Sequence, residues 1–160
     1  MKKILILIMF LLTLTGYGKE RVEADSKRER KNDKVYVIGE GKPYTGIFMD
    51  KYENGNVFIE RRFKNGVLNG ETRTYYMNGK LALLNTYKNG QIDGLHRSYY
   101  ENGNLKVEAT YKNGNLDGIS KMYHKNGQLW SELKHLNGVQ ITPTKWYDEN
   151  GRLKYLEIIK

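Results

Sequence analysis

The 160-residue sequence predicts an all-β fold: an elongated antiparallel meander of β-hairpin repeats with a 24-residue period, laid out as a single twisted sheet. Three observations carry that prediction. A regular series of Asn-Gly pairs runs through Asn54-Gly55, Asn65-Gly66, Asn78-Gly79, Asn89-Gly90, Asn102-Gly103, Asn113-Gly114, Asn126-Gly127, Asn137-Gly138 and Asn150-Gly151 with spacings of 11, 13, 11, 13, 11, 13, 11 and 13, and Asn69-Gly70 stands outside it. A separate marker glycine, at Gly46, Gly70, Gly94 and Gly118, keeps the 24-residue interval before the pattern fades at Thr142. Between turns, Leu105, Val107, Ala109 and Tyr111 alternate with Asn104, Lys106, Glu108, Thr110 and Lys112, the period of two expected of a strand with one buried face.

In chain order, residues 1–18 read as a signal peptide. Lys2 and Lys3 precede an apolar run from Ile4 to Leu12, and small residues follow at Thr13, Thr15, Gly16 and Gly18. That run is too short for a permanent membrane span, so export is expected, with cleavage after Gly18 or Ala24. The stretch Leu14-Thr15-Gly16-Tyr17 resembles a lipoprotein box whose acceptor Cys is replaced by Tyr17, so no lipid is attached there. Residues 19–34 hold seven Lys/Arg and five Asp/Glu with no apolar period, and are expected to be a charged, disordered tether. Residues 35–160 form the repeat array.

Each Asn-Gly is expected to be a two-residue hairpin turn with positive φ at both residues, a conformation Asn tolerates and Gly adopts freely. The result is about ten or eleven strands, counting degenerate ones near Val35–Ile38 and Leu153–Ile159. Val57, Ile59 and Phe63 fill apolar slots of an earlier copy, with Arg61 the exception. The marker glycine either admits an aromatic from the recurring Tyr-Tyr pair or marks a bulge. Tyr76, Tyr100 and Tyr147, with Tyr52 and Tyr123 near equivalent slots, are expected to form a ring ladder that is the core and keeps each hydroxyl wet.

Composition closes several routes. The chain has no Cys, which excludes disulfides, thiolate metal sites and a Cys nucleophile. A mean hydropathy of −0.71 excludes a multi-span membrane protein. The net charge of +9 makes the body modestly basic rather than a polycation.

Tyr100-x-Asn102-Gly103 followed by x-Leu105-x-x-Glu108-x-x-Tyr111-Lys112-Asn113-Gly114-x-x-x-Gly118 resembles the bacterial variant of the MORN repeat, found in YwqK-like antitoxins. The resemblance covers roughly residues 42–160. It implies a rod of successive β-hairpins serving as an interaction platform, and, through the antitoxin label, a partner toxin to be neutralised.

No catalytic group is expected. His96, His124 and His135 fall in unrelated repeat slots, without the spacing of a metal site. Glu60, Glu108 and Glu132, and likewise Asp93 and Asp117, recur at multiples of 24, so they are expected to pair with Lys/Arg across strands. The repeat markers Gly46, Gly70, Gly94, Gly118, Asn54, Gly55, Asn78, Gly79, Asn102, Gly103, Asn126 and Gly127 are structural. Tyr75, Tyr99, Trp130 and Trp146 are the candidate partner-binding aromatics, being residue types that anchor interfaces. The expected activity is non-catalytic binding of a protein partner in the cell envelope (periplasm or outer surface) or the secreted fraction. The alternatives are an antitoxin or immunity role and binding to anionic lipid or polysaccharide surfaces. No cofactor is expected, and nucleic acid is the least favoured ligand.

Overall fold

The computed structural model describes residues 20–157; the expected signal peptide, residues 1–18, lies outside them. Within them the chain is all-β apart from one 3₁₀ turn at Asp25–Lys27. The strands are β1 (Val22–Ala24), β2 (Arg28–Lys31), β3 (Lys34–Val37), β4 (Gly46–Lys51), β5 (Val57–Lys64), β6 (Val67–Tyr75), β7 (Leu81–Lys88), β8 (Gln91–Tyr99), β9 (Leu105–Lys112), β10 (Asn115–Leu116), β11 (Gly118–Tyr123), β12 (Leu129–Leu136), β13 (Val139–Gln140), β14 (Thr144–Tyr147) and β15 (Leu153–Glu157). Thirteen of them make one open sheet in the order β1-β4-β5-β6-β7-β8-β9-β11-β12-β14-β15, with β10 on β9 and β13 on β12. From β4 onward this is the expected antiparallel meander. It is a mixed sheet because β1 runs parallel to β4.

The Asn-Gly pairs make two kinds of turn, not one. Asn65, Asn89, Asn113 and Asn137 have φ of 49–50°, and the glycine after each is also positive, the mirror-image two-residue turn that matches strand twist. The pairs at Asn54, Asn78, Asn102, Asn126 and Asn150 have positive φ only at the glycine. There the Gly N–H bonds back three residues, as from Gly55 to Tyr52 O at 2.9 Å, and the tyrosine N–H bonds across the loop, as from Tyr52 to Asn56 O at 2.9 Å. This is a type I turn closed by a left-handed glycine, a wider loop that brings a bulge with it. The alternating spacing has a second source. Between β7 and β8 the register runs from Asn85↔His96 to Tyr87↔Ile92, so residues 93–95 stand opposite Thr86 alone.

The marker glycine sits in that bulge. Gly94 has φ +119°, and a Cβ there would lie 3.1 Å from Thr86 Cβ. Its cross-strand partner on the other side is Tyr111; Gly70 faces Tyr87 and Gly118 faces His135 in the same way. An aromatic ring therefore does stand opposite the glycine, but it comes from the Tyr-Lys-Asn-Gly position rather than from the Tyr-Tyr pair.

Residues 20–34 are not a tether. β1 pairs with β4, with Ile47 N–H bonded to Arg21 O at 2.8 Å, and β2 and β3 form a hairpin of their own. This makes a second, two-stranded sheet, so the degenerate strand expected near Val35 belongs to that hairpin and not to the meander. The hairpin turns through Asn32 and Asp33, both at positive φ. The charges that read as solvated are paired: Arg21 with Glu23 and Glu40, Arg28 with Asp25, and Arg62 of β5 with Glu20. Beneath them Val35, Val37, Tyr44, Phe48 and Phe63 form the buried apolar cluster, with Leu68 against it. The core therefore lies under this N-terminal cap and not along the tyrosine ladder. A repeat array has an exposed end that needs such a cap.

Candidate interaction surface

Three rows of contacts, each repeating with the array, hold the hairpins to one another. At the wider turns Tyr52, Tyr76 and Tyr100 donate their hydroxyls to the carbonyls of Tyr75, Tyr99 and Tyr123 at 2.6–2.7 Å. His124 takes the same slot, with Nε2 donating to Tyr147 O at 3.1 Å. Three of the hydroxyls expected to stay in water, those of Tyr52, Tyr76 and Tyr100, are thus stitches between repeats. Beside them Asn54, Asn102 and Asn126 donate side-chain amides to the carbonyls of Met77, Lys125 and Glu149 at 2.9–3.0 Å. At the tight turns Gly90 and Gly114 donate backbone N–H to the carbonyls of Leu68 and Ile92 at 2.8 Å.

Asp93 and Asp117 belong to that second edge. Their carboxylates accept the backbone N–H of Asn113 and Asn137 at 3.2 and 3.3 Å, in place of the expected Lys/Arg pairing. Glu60, Glu108 and Glu132 do pair as expected. They lie in one cross-strand row with Arg73, Leu84, Arg97, Lys121 and Lys145. Within it Arg97–Glu108 is 2.6 Å and Glu132 lies 3.6 Å from Lys121 and 3.5 Å from Lys145.

The opposite face carries Thr72, Asn85, His96 and Ala109 in register. Ala109 is 3% and Ser131 0% exposed, although the elements that β9 and β12 chiefly touch are their sheet neighbours. Side chains of adjacent strands therefore cover this face. Towards the C-terminal end the cover becomes aromatic. Trp130 stands 6.0 Å from the His124 ring and 5.3 Å edge-on to Trp146, and Trp146 stacks on Tyr155 at 5.9 Å. Trp146 Nε1–H donates to Glu157 Oε2 at 3.3 Å. The bulge beside each wider turn produces this geometry. In the same slot as Trp130, Phe58 packs on Tyr52 and Lys106 lies over Tyr100. Trp130 is 41% and Tyr155 56% exposed, so the run offers ring area to solvent on rigid strands.

Of the four aromatics singled out in the sequence, the structure brings Trp130 and Trp146 together and leaves Tyr75 and Tyr99 apart. Tyr75 and Tyr99 are half-buried on the charged face, where the Tyr75 hydroxyl donates to Glu60 Oε2 at 3.2 Å. Burial, with the Glu60 carboxylate adding to it, pushes that hydroxyl above its ordinary pKa. Tyr155 and His124 were not foreseen. Counting back across the Asn150-Gly151 turn places Tyr155 opposite Trp146, a signal available in the sequence. The three histidines are separate: His96 Nδ1 lies 2.6 Å from Asn85 Oδ1, and His135 Nδ1 lies 3.4 Å from Ser120 Oγ. Burial holds His96 below its usual pKa. Among the described residues no group of three or more His, Asp or Glu side chains is placed to hold a metal ion.

Three consecutive segments, residues 68–89, 92–113 and 116–137, match the MORN repeat variant. Each runs from the bulged strand through a wider turn and back to the Asn of a tight turn, so the matched unit is the hairpin described above. The chain therefore carries three consecutive repeats that match the MORN variant, each one of the stacked hairpins. The N-terminal cap, Trp146 and Tyr155 lie outside the matched segments. No curated protein matches the chain.

Proposed function

We propose that this chain is a non-catalytic scaffold that binds a protein partner through the ring-bearing face of its array, in the cell envelope or the secreted fraction. The observation that supports this reading is the run His124, Trp130, Trp146 and Tyr155. Large rings held on rigid strands give contact area at little entropic cost, and they are the residue types that dominate interface energetics. The order of charged, apolar and small residues in positions 1–18 supports export. A cognate toxin is the partner that the repeat's resemblance to YwqK-like antitoxins implies.

The test is affinity capture from the envelope of the source cells, comparing the unaltered chain with Trp130→Ala/Trp146→Ala. Loss of one specific protein with the double variant, at both low and high salt, is expected. Equal capture by both chains contradicts the reading. A second reading, binding to an anionic lipid or polysaccharide surface, rests on Lys64, Lys88 and Lys112, exposed at 24-residue intervals along the tight-turn edge. Two strand spacings put them ~10 Å apart. Binding through that row weakens steeply with ionic strength, whereas capture by the rings mostly persists.

A further inference from the structure

The ten Asn-Gly pairs, Asn69-Gly70 within β6 among them, are chemically alike, yet the fold treats their side chains differently. At such a pair the glycine nitrogen, unhindered by a neighbouring side chain, attacks the asparagine Cγ. The N–Cγ bond forms, the Cγ–Nδ2 bond breaks, and nitrogen leaves as ammonia. Water then opens the resulting succinimide to aspartate or isoaspartate. The reaction needs a side chain free to turn its Cγ toward the glycine nitrogen and a peptide free to rotate toward it.

In four wider turns the side chain is held at both ends. Asn54, Asn78, Asn102 and Asn126 donate Nδ2 to carbonyls of the following turn at 2.9–3.3 Å. Each also accepts at Oδ1 the backbone N–H two residues on, at 3.0 Å in all four. Asn150, in the outermost wider turn, lacks both bonds among the described residues; the N–H of Arg152 goes to Asp148 Oδ1 at 2.9 Å instead.

In the tight turns the holding contact depends on a single slot. Asn65 Oδ1 lies 3.5 Å from the Thr45 hydroxyl, and Asn89 Oδ1 accepts from Asn69 Nδ2 at 3.4 Å. In the next two repeats that slot is Asp93 and Asp117. An ionised carboxylate has no proton to donate to an amide oxygen, and each accepts a backbone N–H instead. Among the described residues the side chains of Asn113 and Asn137 make no hydrogen bond, and both residues are exposed to the water the reaction consumes. Their turn type also gives access. Flipping its central peptide converts it to the other mirror turn, taking ψ of the asparagine from about +30° to about −120°, which swings the glycine nitrogen alongside Cγ.

We propose that Asn113, Asn137 and Asn150 are sites of spontaneous deamidation in the folded protein, and that the fold protects Asn54, Asn78, Asn102 and Asn126. Conversion at Asn113 or Asn137 sets a new carboxylate beside Asp93 or Asp117, and isoaspartate adds a backbone atom to a turn whose two-residue length sets the strand register. Both loosen the tight-turn edge in the repeats next to the ring run.

The test is peptide mapping by mass spectrometry of the full folded chain during incubation at mildly alkaline pH, with a denatured control. Asn113, Asn137 and Asn150 should convert first, and the four held residues at least ~10-fold more slowly, the factor one to two hydrogen bonds correspond to. In denaturant all seven should convert at similar rates. Similar rates in the folded chain, or the same ranking in denaturant, overturn the proposal. Asp93→Thr restores the hydroxyl donor found at Thr45, and should slow Asn113 to the rate of Asn65 while leaving Asn137 unchanged. An unchanged rate at Asn113 in that variant overturns it as well.

Discussion

Arg61 Nη1 lies 2.7 Å from Asp25 Oδ1, and this ion pair joins the repeat array to its N-terminal cap. Arg61 is the one charged residue in the strand positions that Val57, Ile59 and Phe63 otherwise fill. Its partner sits in the 3₁₀ turn between β1 and β2. Both side chains are mostly buried, so removing either leaves the other charge poorly solvated.

Arg61→Ala should therefore loosen the cap and leave the distal repeats intact. The expected loss is ~1–3 kcal/mol. Hydrogen exchange should show it as faster exchange in β1 to β3 with unchanged β8 and β9. Uniform destabilisation, or no change, contradicts the assignment.

Gly94→Val should distort the array. A valine there must adopt φ +119° and push Thr86, a combination that costs ~2–4 kcal/mol. His96→Ala loses the contact to Asn85 and should cost only ~1 kcal/mol with binding retained. Thermal unfolding of the two variants ranks them directly.

Tyr76→Phe and Tyr123→Phe separate stitching from packing. The first removes the bond to Tyr99 O at 2.6 Å, and should cost ~1 kcal/mol. The second removes a hydroxyl that bonds to nothing among the described residues, and should be neutral within ~0.5 kcal/mol. Equal effects in chemical denaturation would remove the hydroxyl ladder from the account.

The cap should open in alkali before the array does. Burial, with the Glu23 carboxylate adding to it, pushes the Tyr44 hydroxyl up to about 12. That hydroxyl donates to Ile47 O at 2.8 Å. The fold favours the neutral phenol, so the stabilisation is complete below the unfolded value near pH ~10 and is lost as pH rises through the folded value. The loss is about 2 kcal/mol. Absorbance titration should show Tyr44 ionising together with the loss of β1–β3 protection, and Tyr44→Phe should remove this step.

The sequence made the array legible because its turns and strands are local: a positive-φ dipeptide and a period of two need no distant partner. The spacing of 11 and 13 also held the two turn types, but separating them requires knowing that three residues of the longer link oppose one of the shorter. The cap was hidden for a different reason. Its segment has no apolar period, and its order comes from residues far along the chain, with Arg21 meeting Glu40 and Asp25 meeting Arg61. Trp130 and Trp146 were visible as residue types. That they share a face, and that Tyr75 and Tyr99 lie on the other, follows from the bulge registers alone.

Radical footprinting of the chain bound to its captured partner tests the central claim most directly, because it reads which side chains the partner covers. The account predicts protection of Trp130, Trp146 and Tyr155 with little change at Tyr75 and Tyr99. Unchanged labelling of the two tryptophans in the complex would contradict it.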